Sequence, residues 1–129
     1  SPILLNTKEK LFNVVKNIPS QSVVAFDTET TGLDAKSVKI VGFSFSYDES
    51  EAFYVPISHN YLGVGEQLSM SDAKEALEIL FTHKIIGQNL KYDYAILKYN
   101  FGFNDLKVYG DTMIISWLLD SSLSAGLDN

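Results

Sequence analysis

The sequence predicts an α/β fold in which three antiparallel strands are followed by a β-α-β-α alternation, and three observations predict it. The apolar run Val23-Val24-Ala25-Phe26 continues into Asp27-Thr28-Glu29 and is broken at Thr31-Gly32, the pattern of a buried strand that ends in carboxylates. Two further strand-like segments, 39–47 and 51–57, are joined by the polar turn Asp48-Glu49-Ser50 and complete a meander. From residue 69 onward, helical periodicity alternates with short extended runs, which places helices against a sheet.

The remaining elements follow from spacing and punctuation. Residues 7–17 carry Leu11, Val14 and Val15 at helical intervals, with Asn6 or Thr7 as cap and Pro19 as stop. Ser69 or Ser71 caps a helix that runs to residue 83, on which Ala73, Ala76, Leu77, Leu80 and Phe81 form an apolar stripe. Lys84-Ile85-Ile86-Gly87 reads as a short strand, residues from Asn89 to about 99 as a helix with Gly102 beyond it, and 106–109 as extended. Asp111 is expected to cap a last helix over 111–119 that buries Met113, Ile114, Trp117 and Leu118.

Composition narrows the function classes. A chain of 129 residues fits one domain, and 46% hydrophobic with 20% charged residues belongs to a folded globular protein rather than a disordered one. No apolar run approaches the roughly 20 residues that cross a bilayer, and no signal-peptide pattern is present, so membrane and secretory readings are set aside. The absence of cysteine excludes disulfides and thiolate sites, fits a reducing cytoplasm, and leaves oxygen or imidazole as metal donors. A formal charge of −6 counts against a broad phosphate-neutralising surface, although two divalent cations would offset four of those charges where a phosphate approaches. The start at Ser1 and the stop at Leu127-Asp128-Asn129 read as fragment boundaries.

Asp27 and Glu29 stand two apart on a strand and therefore share a face. Two unpaired carboxylates after an apolar run repel each other and are costly to desolvate unless cations share them. Mg²⁺ or Mn²⁺ suits such oxygen-only ligation. The plain alternative is that Asp27 ends a strand and Glu29 faces water. Asn89-Leu90-Lys91-Tyr92-Asp93 offers a third acid, because four residues on a helix bring Asn89 and Asp93 to one face. There too a plain alternative stands, with Asn89 as N-cap and Asp93 as a favourable first-turn charge. Spacing leaves both pairs of readings open.

The motifs themselves carry a resemblance. Phe26-Asp27-Thr28-Glu29-Thr30-Thr31-Gly32-Leu33 resembles the first motif of the DEDD-type 3′→5′ exonucleases, and Asn89-Leu90-Lys91-Tyr92-Asp93 resembles the second. Between and after them, Gly42-Phe43-Ser44-Phe45, Tyr54-Val55-Pro56-Ile57, His59-Asn60-Tyr61-Leu62, Gly87-Gln88 and Asp111-Thr112-Met113 are similar to the proofreading domain of family-A DNA polymerases, over roughly residues 23–127. The resemblance implies an RNase H-like mixed five-stranded sheet flanked by helices. It implies catalytic and metal-ligating roles for Asp27, Glu29 and Asp93: Asp27 bridging two Mg²⁺ or Mn²⁺ ions about 4 Å apart, Glu29 on the first and Asp93 on the second. It further implies in-line hydrolysis at a single-stranded or frayed DNA 3′ end with release of 5′-nucleotides, contacts to the terminal nucleotide from Thr30, Leu33 and Asn89, and a polymerase module on the same parent chain.

One part of the family pattern is absent. The family's fourth acid follows a Tyr or His by four residues, and none of the later acids, Asp105, Asp111, Asp120 and Asp128, has such a partner. That motif is expected downstream, with the domain occupying residues 1–129 in part, and the chain alone is expected to be inactive or slow. A non-catalytic domain supporting a polymerase, and an RNase D-like exonuclease acting on RNA, are the alternatives in other classes. His59 and His83 lack partners at ligand spacing, while Trp117, Tyr92, Tyr94 and Tyr99 read as packing residues.

Overall fold

A computed structural model describes residues 1–31, 38–57 and 65–116. The apolar run at Val23 forms the central strand of a seven-stranded mixed sheet. In chain order the elements are β1 (Ile3–Leu4), α1 (Lys8–Val15), β2 (Val23–Thr30), β3 (Ile40–Ser46), β4 (Phe53–Pro56), α2 (Met70–Leu80), β5 (Lys84–Ile86), α3 (Leu90–Phe101), β6 (Leu106–Tyr109) and β7 (Thr112–Ile115). The strands lie in the order β1-β4-β3-β2-β5-β7-β6. β2, β3 and β4 are the antiparallel meander the sequence predicts, and β5 lies parallel to β2.

Strand alternation sorts the sheet into two faces. Val24 and Phe26 of β2, Phe43 and Phe45 of β3, and Phe53 and Val55 of β4 are buried, whereas Val23, Ala25, Asp27 and Glu29 are exposed. α2 and α3 pack on the buried face. Phe81, at the end of α2, meets Phe26 edge-on with centroids 5.3 Å apart, and Phe103 beyond α3 meets Phe81 at 5.6 Å. The stripe expected on α2 is fully buried, and Ser69 rather than Ser71 caps the helix by accepting from the Asp72 amide. Thr7 caps α1 in the same way through the Lys10 amide. Asn100 fixes the far half of α3: its Oδ1 accepts from the Ile40 amide at 3.0 Å, and its Nδ2 donates to the carbonyls of Val38 and Ile96.

Two features depart from the sequence reading. Residues 112–115 form β7 instead of the start of a helix over 111–119, and Ser116 is the last described residue. Met113 and Ile115 are buried while Thr112 and Ile114 are half-buried, a period of two that suits a run in which Thr112, Ile114 and Ile115 are β-branched. Gly110, at φ +65°, opens the two-residue turn Gly110-Asp111, so that β7 folds back on β6 and fills the edge of β5. Asp111 is thus a turn residue, and its carbonyl accepts from the Gly87 amide. The second departure is β1, a two-residue strand parallel to β4. With β7 it raises the expected five strands to seven.

Neighbouring isoleucines on β5 test the two faces. Ile85 is fully buried and Ile86 is 39% exposed. Ile85→Ala is expected to cost about 2–5 kcal/mol in denaturant unfolding, and Ile86→Ala less than about 1 kcal/mol. Equal costs would show that the helices do not cover only one side.

Candidate active site

Parallel neighbours have their carboxyl ends at the same end of the sheet, where α/β proteins place ligand sites. β2 leads into Asp27, Thr28 and Glu29; the segment after β5 leads through Gly87, Gln88 and Asn89 into α3. The first turns of α3 are therefore delivered to the acidic half of β2, although some 65 residues separate them in sequence.

The meeting point is Thr28. Its hydroxyl donates to Asp93 Oδ1 at 2.5 Å and its backbone amide donates to the same oxygen at 3.2 Å. Asp93 is 1% exposed and is the buried charged side chain of the described core. Its other oxygen, Oδ2, is buried and without a partner. Burial pushes the Asp93 carboxyl above its ordinary value and the charge of Asp27 adds to the rise, while the hydrogen bonds from Thr28 oppose it.

Asp27 and Glu29 project from the open face of β2, and Thr28 meets Asp93 from the helix-bearing face. The structure thus brings Asp93 to the residue between the two strand acids, with Asp27 close enough to act on its ionisation. Among the described residues, however, no three acidic or imidazole side chains gather into a group ready to hold an ion. The donor chemistry fits a hard divalent cation even so: all three groups are carboxylates, and Asp93 Oδ2 is a buried oxygen with no donor on it, of the kind a divalent cation takes as a ligand.

Glu29 has a fixed partner. Its Oε1 accepts from the Tyr54 hydroxyl at 2.8 Å, across β3. Thr30 Oγ1 lies 3.1 Å from the Tyr92 hydroxyl, so this candidate contact residue is tied to the first turn of α3. Between Glu29 and Thr30 the β2–β3 register shifts by one residue, the local bend expected at a bulge. Asn89 occupies the N-cap position of α3, but its side chain makes no capping hydrogen bond and is exposed. Leu33 and His59 lie outside the described residues, as do Trp117 and Leu118. Beside Asp27 the open face of the sheet holds a groove of about 290 Å³ lined by Ala25, Asp27, Ser44, Ser46, Gly87 and Gln88.

A family model described as 3′-5′ exonuclease, of the DNA polymerase A type, matches residues 2–129. The chain belongs to this 3′-5′ exonuclease family. Among curated relatives, it is 35% identical to DNA polymerase I of Borreliella burgdorferi over 125 residues, covering 96% of this chain and 13% of the relative. It is 41% identical to DNA polymerase I of Pseudomonas aeruginosa over 112 residues, covering 84% and 12%. The chain therefore spans about an eighth of the length of these relatives. The exonuclease domain of Aedes aegypti Nibbler superposes with a TM-score of 0.57 at 14% identity, covering 94% of this chain and 55% of that one, and so shares the RNase H-like fold.

Within this exonuclease fold, sequence reasoning missed Thr28 and Tyr54. Thr28 stands between the two strand acids and projects to the opposite face, a position that reads as inert until α3 is placed. Tyr54 is two strands and one row away from Glu29, and only the side-chain hydrogen bond reveals the contact.

The raised Asp93 carboxyl has a consequence for stability. The folded chain holds its proton above the ordinary value of 3.8, where the unfolded chain has released it. Stability is therefore fullest below that value, falls as pH rises toward the raised one, and stays lowered beyond it. Asp93→Asn keeps an acceptor for Thr28 without the charge. In metal-free buffer at neutral pH it is expected to melt a few degrees above the wild type, with the gap closing as pH falls through the ordinary carboxylate range. A variant less stable than the wild type at every pH would contradict the unpaired charge.

Proposed function

We propose that this domain removes nucleotides from a single-stranded or frayed DNA 3′ end by metal-assisted hydrolysis, releasing 5′-nucleotides, as the proofreading unit of a cytoplasmic polymerase. Family membership supports the 3′-5′ exonuclease activity, and the relatives named DNA polymerase I support a polymerase module on the parent chain. The observation that carries the site assignment is the capture of buried Asp93 by Thr28, between Asp27 and Glu29.

In this reading Asp27, Glu29 and Asp93 hold the divalent ions. When bound, such ions offset the carboxylate charge and that of the phosphodiester, and supply a nucleophile at neutral pH. The chain's own residues do the positioning. Thr28 fixes one oxygen of Asp93 and leaves the other available, Tyr54 holds Glu29, and the groove beside Asp27 offers a concave surface for the terminal nucleotide. Thr30, Leu33 and Asn89 contact that nucleotide, in keeping with the motif resemblance. Because these 129 residues contain no acid four residues after a Tyr or His beyond Asp93, the chain by itself turns over slowly or not at all.

A second reading is a non-catalytic domain that keeps the fold while supporting a polymerase. It is favoured by the lack of a gathered three-acid group among the described residues. Calorimetric titration with Mn²⁺ separates the two. The wild-type chain is expected to bind, and Asp27→Ala to weaken binding about tenfold or more. Binding that is absent, or indifferent to Asp27, would favour the non-catalytic reading. Turnover on single-stranded DNA is expected to be negligible, and a rate like that of an intact proofreading domain would refute the need for a fourth acid.

A further inference from the structure

We infer that Tyr54 is a positioning residue for Glu29, and that Gly42 is the opening in the sheet that makes this possible; the inference rests on the metal-holding role proposed for Glu29. The register shows how unusual the contact is. On the open face, Glu29 of β2 stands opposite Gly42 of β3, which stands opposite Pro56 of β4; Tyr54 belongs to the next row, with Ser44 and Asp27. Glu29 and Tyr54 are thus two strands and one row apart, about 10 Å across the sheet at ordinary strand spacing. Directly opposed side chains do not need to cover that span, and these two do so only because the phenol lies down over β3.

What it lies on is Gly42. A Cβ at this position would come within 2.2 Å of the Tyr54 hydroxyl oxygen, 2.6 Å of Cζ and 2.8 Å of the Val55 carbonyl oxygen. Any side chain would lift the ring and break the 2.8 Å hydrogen bond to Glu29. The glycine therefore has two causes, close backbone approach and passage of the phenol, and only the second concerns the site.

Glu29 is otherwise exposed, and its Oε2 has no hydrogen bond among the described residues. A solvent-facing glutamate samples many rotamers, and ordering it on binding a cation subtracts from affinity. One phenolic donor on Oε1 selects the rotamer beforehand and leaves Oε2 for the ion, which is how outer partners tune metal ligands. Tyr54 itself touches neither ion nor substrate in this account. Its effect passes through the carboxylate.

Mn²⁺ affinity, measured by calorimetry on the full 129-residue chain, tests this with four proteins: wild type, Tyr54→Phe, Glu29→Gln and the double variant. Thermal melting confirms that each folds, and should the phenylalanine variant not fold, Tyr54→Leu replaces it with the same expectation. Tyr54→Phe is expected to weaken Mn²⁺ binding about tenfold, and to have no further effect once Glu29 is glutamine. An unchanged affinity in Tyr54→Phe alongside a weakened Glu29→Gln overturns the positioning role alone. Losses that add in the double variant overturn it as well, because Tyr54 would then act elsewhere. Affinity unaffected by Glu29→Gln overturns both this inference and the metal-holding role of Glu29. A purely structural Tyr54 would shift the melting temperature without moving the affinity.

Discussion

Strands that run side by side in one direction end on the same edge, and in this protein that rule joins two stretches of sequence that nothing local connects. β2 ends in its acids; β5 ends three residues short of the helix that bears Asp93. Were β5 antiparallel to β2, α3 would begin at the opposite end of the sheet, and Thr28 would have no carboxylate to bind. The apolar strand cores, the aromatic contacts from Phe26 to Phe81 and Phe103, and the cap at Ser69 all serve to hold that pairing in place.

Electrostatics then sets the terms for anything that binds. The chain carries a net charge of −6, and its buried charge is an acid that sits near another acid. Without a cation, burial and the charge of Asp27 both disfavour the ionised form of Asp93. With one, the same burial that penalises the free carboxylate strengthens its attraction to the ion, since charges interact more strongly where water is scarce. An acidic domain can in this way attract a phosphodiester at one point while its general surface does not.

Much of the architecture could be read directly. Helices α1, α2 and α3 and strands β2 to β6 were legible because each has its own periodicity and its own stop, such as Pro19 after α1 or Asp48-Glu49-Ser50 between β3 and β4. Residues 112–115 were not, because Met113 and Ile114 fit a helical stripe as well as a short strand; the hairpin at Gly110 and the unfilled edge of β5 decide between them, and both are tertiary facts. β1 was invisible for a related reason: two residues carry no period. Of the candidate site, Asp27, Glu29 and Asp93 stood out in the sequence through motif resemblance, spacing having left their role open. Their partners did not, since Thr28 acts through the face opposite to its neighbours and Tyr54 through a contact two strands wide.

Asn100 gives the helix a property that its composition does not suggest. α3 is bound to the sheet at two separated places, by Asp93 to Thr28 near its start and by Asn100 to Ile40 and Val38 near its end. A cylinder pinned at one point can roll; pinned at two points nearly two turns apart, it cannot roll or slide without releasing both. The stiffness of the carboxylate's bearing is thus inherited in part from an amide at the far end of the rod.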